Sequence, residues 1–78
     1  MYTITMNCGG KISEVKCEDI AEGIEKIVPN LILHSGNLSI TNGEKTFGRI
    51  LPVRMVRQLK NKIWRLKYAH ILKSGLGE

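Results

Sequence analysis

Tyr2-Thr3-Ile4-Thr5-Met6-Asn7-Cys8-Gly9-Gly10-Lys11-Ile12-Ser13-Glu14-Val15-Lys16-Cys17 is the stretch on which the fold turns. Tyr2, Ile4, Met6 and Cys8 alternate with Thr3, Thr5 and Asn7, the period-2 pattern of a half-buried strand. Gly9-Gly10 can take the positive φ angles of a two-residue hairpin turn. Closing the turn there sets Cys8 opposite Lys11, Met6 opposite Ser13, Ile4 opposite Val15 and Tyr2 opposite Cys17. Tyr2, Ile4, Val15 and Cys17 then share one face, and Ile12 falls on the other. In this register Cys17 lies about 20 Å along the ribbon from Cys8, at ~3.3 Å per residue, too far for a disulfide.

Beyond the hairpin the period changes. Ile20, Ile24, Ile27 and Val28 fall at i, i+4, i+7 and i+8, which predicts a short helix over residues 18–28. Glu18, Asp19 and Glu22 crowd its first turns, where the helix dipole favours negative charge. Gly23 weakens it by about 1 kcal/mol relative to Ala, and Pro29-Asn30 ends it. Residues 31–50 read as a three-stranded meander: Leu31–His34, a turn at Gly36-Asn37, Leu38–Thr41, a turn at Asn42-Gly43, then Lys45–Ile50. Closing both turns sets Leu33 opposite Ile40 and Leu38 opposite Phe47. Leu31, Leu33, Leu38, Ile40 and Phe47 then share a face.

Pro52 is tolerated at the start of a helix, and an uninterrupted helical pattern follows from 53 to 73, with Ser74-Gly75 as its stop. The predicted fold is therefore α+β, in the order ββαβββα. An antiparallel sheet of up to five strands packs against two helices, the second a long basic amphipathic C-terminal helix. The expected organisation is one domain over 1–78: sheet and short acidic helix in 1–51, basic helix in 52–74, and a frayed tail in 75–78.

At 78 residues the chain has room for one thin core and no deep pocket. An apolar content of 42% and a charged content of 24% exclude disorder. The longest apolar run, Leu31-Ile32-Leu33, is far short of a membrane span, and the N-terminus lacks a signal-type leader, so the expectation is a cytoplasmic protein. Two cysteines are too few for a disulfide scaffold. The net charge of +5 is split unevenly. Residues 1–44 hold three basic and six acidic residues, whereas 45–78 hold nine basic residues and Glu78 alone. Such a split points to nucleic acid, a membrane surface or an acidic partner.

At about 100° per residue, Met55, Val56, Leu59, Ile63, Leu66 and His70 gather in one arc, the seam expected to pack on the sheet. The opposite arc carries Arg54, Arg57, Gln58, Asn61, Lys62 and Arg65, with Lys60 and Lys67 flanking the seam. Val53, Trp64, Tyr68 and Ile71 lie near the edge of the basic arc. Fixed positive charge with interleaved aromatics is the chemistry of a phosphate-tracking surface. The candidate binding residues are therefore Arg54, Arg57, Lys60, Asn61, Lys62, Trp64, Arg65, Lys67 and Tyr68.

The remaining chemistry-bearing residues point elsewhere. His70 reads as a packed core histidine and His34 as an exposed strand residue. Cys8, Cys17, His34 and His70 lack the paired spacing of a zinc site, so no metal or other cofactor is expected. No acid–base or nucleophile pairing is legible, and a Gly-x-x-x-x-Gly-Lys loop is missing, so the expectation is a non-enzymatic protein without a small-molecule substrate.

The leading functional expectation is a small module binding nucleic acid or a nucleoprotein complex through its C-terminal helix. The alternative is a protein-binding adaptor or inhibitor, of the kind a phage or mobile element uses to block a larger host assembly. A third reading pairs the acidic helix (Glu18, Asp19, Glu22, Glu25) with a basic helix, either a neighbour's, giving a homo-oligomer, or that of its own chain. Membrane attachment ranks below these, because the apolar seam is needed for the core.

Overall fold

Gly9 and Gly10, at φ 61° and 84°, turn β1 (Tyr2–Cys8) back into β2 (Lys11–Cys17) in this computed structural model, which describes residues 1–78. The hairpin register is the one the alternation predicts, from Tyr2 opposite Cys17 to Cys8 opposite Lys11. Both cysteines are free and buried. The chain continues through α1 (Ile20–Ile27), a 3₁₀ turn (Val28–Asn30), β3 (Gly36–Thr41), β4 (Thr46–Leu51), α2 (Val53–Gln58) and α3 (Lys62–Gly75). The fold is α+β: one four-stranded antiparallel sheet in the order β2-β1-β3-β4, with three α-helices.

The expected strand at Leu31–His34 does not form. A strand preceding β3 in a meander needs a free edge of β3, but β1 takes that edge, from Thr3 opposite Thr41 to Cys8 opposite Gly36. β4 takes the other. The displaced segment buries Leu31, leaves Ile32 and Leu33 exposed, and is fixed to the end of β1. There the Cys8 thiol lies 3.0 Å from the Ile32 carbonyl oxygen and 2.7 Å from that of His34. Gly36 fits because a methyl group at its Cα would overlap the Asn7 carbonyl.

The β3–β4 turn is longer than a two-residue Asn-Gly hairpin. Ile40 faces Phe47 and Thr41 faces Thr46, which leaves residues 42–45 as a four-residue loop. Asn42 organises it, its side-chain oxygen accepting from the backbone N–H groups of Glu44 and Lys45 at 2.9 and 2.8 Å. The register moves by two positions relative to the expected one, an even number, so every side chain keeps its predicted face.

α1 starts where Asp19, in extended conformation, accepts from the Glu22 N–H. It lies close against the hairpin at Gly23, where an added Cβ would stand 2.9 Å from the Ile4 side chain. Ile20, Ile24 and Ile27 of α1 join Ile4, Met6, Cys8, Leu38, Ile40 and Leu51 of the sheet in one core cluster with Met55, Val56, Leu59, Leu72 and Leu76. By strand alternation the opposite sheet face carries Thr3, Thr5, Asn7, Asn37, Ser39 and Thr41, and no buried residue lies on it.

The single helix expected over 53–73 is two helices. α2 stops at Leu59, and the N–H groups of Lys60 and Asn61 close a tight turn onto the carbonyls of Arg57 and Gln58. Asn61 leaves the helical region at φ −99°, ψ 130°, and its side chain caps α3 by accepting from the Ile63 N–H at 2.9 Å. An asparagine inside an apparently continuous helical pattern is thus a second helix start. Residues 75–78 do not fray: Leu76 is buried, and the Glu78 side chain accepts hydrogen bonds from Tyr2 and Asn42.

Candidate interaction surface on α2 and α3

The break at Leu59–Asn61 decides what the C-terminal half presents. Met55, Val56 and Leu59 are buried as the seam requires. In α3 the buried side is Leu72, with half-buried Arg65, Tyr68 and Ala69, and it continues to Leu76 just beyond. At ~100° per residue this stripe lies roughly 130° around an ideal helix from the expected seam. The turn between α2 and α3 accommodates the change of phase. Ile63, Leu66 and His70, expected in the core, are therefore exposed. Ile63 retains 63% of its accessible surface, Leu66 50% and Ile71 41%.

The nine candidate residues divide accordingly. Arg54 and Arg57 are exposed on α2, Lys60 and Asn61 on the connecting turn, and Lys62 and Lys67 on α3. Asn61 spends its side-chain oxygen on the cap. Trp64, Arg65 and Tyr68 are half-buried. Trp64 and Tyr68, one turn apart, lie with ring centroids 5.8 Å apart and a 30° interplanar angle. The Lys67 ammonium sits 4.5 Å above the Trp64 ring. The Tyr68 hydroxyl donates to Gln58 Oε1 at 2.5 Å and so joins α3 to the end of α2. These two aromatics form a small cluster joining the two helices, with Lys67 as its lid.

Three further cations of the same half of the chain lie outside the nine candidates, among them Lys73 in the last turn of α3. Arg49 lies on the helix-bearing side of the edge strand β4, between Phe47 and Leu51, and Lys45 lies in the β3–β4 turn. The strand pattern placed Arg49 on that face, but only the fold brings β4 to a free edge.

Both ion pairs of the structure are in the N-terminal half: Lys26 with Glu22 at 3.2 Å, and the Met1 amino group with Glu18 at 3.9 Å. None of the nine cations of residues 45–78 pairs with a carboxylate. The acidic residues just before α1 do approach α3 across a shallow groove of about 230 Å³, lined in part by Glu18, Asp19, Leu66, His70 and Lys73. That volume is below the ~300–1,000 Å³ of ligand pockets.

Three groups have perturbed acidities. Burial, then the nearby Asp19 and Glu22 carboxylates, pushes the Cys17 thiol above its ordinary value. The Tyr2 hydrogen bond, then that from Asn42, holds the Glu78 carboxyl below the ordinary carboxylate range. The same Tyr2–Glu78 bond raises the Tyr2 phenol. Lys73 also lowers the Glu78 carboxyl, and Tyr2 lines the groove beside Lys73, so this pair sits at the C-terminal end of α3.

No protein-family model, curated protein or solved structure matches the chain. No helix is long and apolar enough to cross a membrane.

Proposed function

We propose that this chain is a non-enzymatic interaction module that binds an acidic macromolecule through α2, α3 and the turn between them. One observation carries the reading: nine cations in residues 45–78, eight of them exposed, with no carboxylate partner inside the molecule. Unneutralised lysines and arginines raise the rate and strength of encounter with a polyanion, and with phosphates they release condensed counterions. A basic amphipathic C-terminal half, in this reading, is the working part of the protein. The sheet and α1 hold it in place.

Nucleic acid or a nucleoprotein complex is the partner class that charge alone favours. Fluorescence anisotropy of labelled single-stranded DNA, duplex DNA and RNA at two salt concentrations tests it. The expected result is binding that weakens steeply with salt. It should be lost in the Arg57→Glu/Lys62→Glu double variant, whose two sites are exposed and leave the core intact. Unchanged binding by that variant, or binding insensitive to salt, would sink the reading. Arg65 is a poorer site for reversal, because its half-buried position confounds binding with folding.

A second reading, a protein-binding adaptor or inhibitor, has its own support. Trp64 and Tyr68 are engaged with each other, with Lys67 and with Gln58, which limits their use as stacking platforms for bases. Exposed aliphatic side chains stand beside the cations instead.

A further inference from the structure

Ile63, Leu66, Lys67, His70 and Ile71 occupy positions i, i+3, i+4, i+7 and i+8 of α3, and all five are exposed. That spacing is one face of a helix. It is the spacing by which a helix packs against another helix, yet here it points away from the core occupied by Leu72 and Leu76. Three large aliphatic side chains on one outward face, each at least 41% exposed, exceed the scattered singletons of an ordinary surface.

The charges around this ridge restrict what covers it. α3 contains Lys62, Arg65, Lys67 and Lys73 and no acidic residue, and α2 contains none either. A second copy docking α3 on α3 would bring only cations together. A second copy offering α1 would bring Glu22 and Glu25, but the isoleucines of α1 are all buried, so it has no apolar ridge to give. A nucleic-acid backbone would use the lysines and leave Ile63 and Leu66 without a counterpart. Glu18 and Asp19 border the ridge on one side, where Leu66 and His70 line the groove toward α1. Around Ile63 and Leu66 the flanking charges on α3 are Lys62 and Lys67, and the complement of that stretch is an apolar ridge flanked by carboxylates.

We infer that the outward face of α3 is the docking site of an acidic amphipathic helix from a different protein. The inference rests on the acidic-partner reading above and narrows it to a protein. Ile63 and Leu66 anchor the contact, Ile71 extends it, and Lys62 and Lys67 fix the sign and orientation of the incoming helix.

Selection of a display library of helical peptides against the intact chain tests this, with each enriched peptide then titrated by anisotropy. The Ile63→Ser/Leu66→Ser variant serves as comparison, its fold checked by circular dichroism and thermal melting. Labelled single-stranded DNA is titrated in parallel. Enriched peptides are expected to share apolar residues at i, i+3, i+4 and i+7 with flanking Asp or Glu. They should bind the double variant roughly tenfold or more weakly, the loss typical of removing central anchors. Enrichment of acidic peptides without that period, or equal binding to the variant, would overturn the helix-docking inference and leave the acidic-partner reading standing. DNA binding without peptide enrichment would do the same. Failure of both peptides and DNA to bind would remove both.

Discussion

The carboxylate of Glu78 accepts from the Tyr2 hydroxyl and, at 2.9 Å, from the Asn42 amide, tying the end of α3 to β1 and to the β3–β4 turn. The charged form of Glu78 and the neutral form of Tyr2 both favour the contact. The Glu78 contribution is present above the ordinary carboxylate value and is lost as pH falls through the depressed one. The Tyr2 contribution is present below the ordinary phenol value and is lost as pH rises through the raised one. The contact should therefore hold between about pH 5 and 9. The Asn42 side-chain amide resonances are expected to stay constant across that window and to move at both ends, with the acid-side change absent in Glu78→Gln. An Asn42 resonance that ignores the titration of Glu78 would contradict this. Nothing in the pattern Leu76-Gly77-Glu78 announces the arrangement, because its partners lie 76 and 36 residues away along the chain. The hairpin register of residues 2–17, by contrast, depends on neighbours and one turn, and was legible residue by residue.

At the scale of elements, the same contrast separates what local pattern predicts from what competition decides. α1 and the β1–β2 turn follow from period, caps and glycine, whereas the β3–β4 turn forms at the expected place but two positions out of the expected register. The absence of a strand at Leu31–His34 follows from β1 occupying the edge of β3, a pairing between distant segments that alternation does not encode. The break between α2 and α3 was locally visible in one residue, Asn61, but was hidden by the apolar period running through it. A stability measurement at that position separates the two architectures. In one continuous helix, Asn61→Ala would stabilise by up to ~0.7 kcal/mol, since Ala is the better helix former. As the cap of α3, Asn61 should instead contribute about 1 kcal/mol, so Asn61→Ala is expected to lower the urea midpoint. A raised midpoint would mean that the helices are joined. The candidate surface depends on this point, since the new phase of α3 turns Ile63 and Leu66 outward and draws Arg65 and Tyr68 inward.

At the scale of the whole molecule, charge and shape are sorted into separate faces. The helix-free sheet face is built from small uncharged side chains in its two central strands, with Thr3 beside Thr41 and Thr5 beside Ser39. The acidic residues of α1 remain on its surface, and the two ion pairs stay within the first 26 residues. The cations gather in the C-terminal half, where none of them forms an ion pair with a carboxylate. The asymmetry was legible from composition alone. Its arrangement was not, since the division of cations between exposed and half-buried positions depends on the phase of α3.

The claim tested most directly is that this surface, and no other, receives acidic macromolecules. Backbone amide chemical shifts of the ¹⁵N-labelled chain, followed during titration with single-stranded DNA and separately with polyglutamate, locate the contact. The expected result is perturbation confined to α2, α3 and the turn between them, reversed by added salt. Perturbation centred on Thr3, Thr5, Ser39 and Thr41 of the open sheet face, or none with either polyanion, would contradict the account.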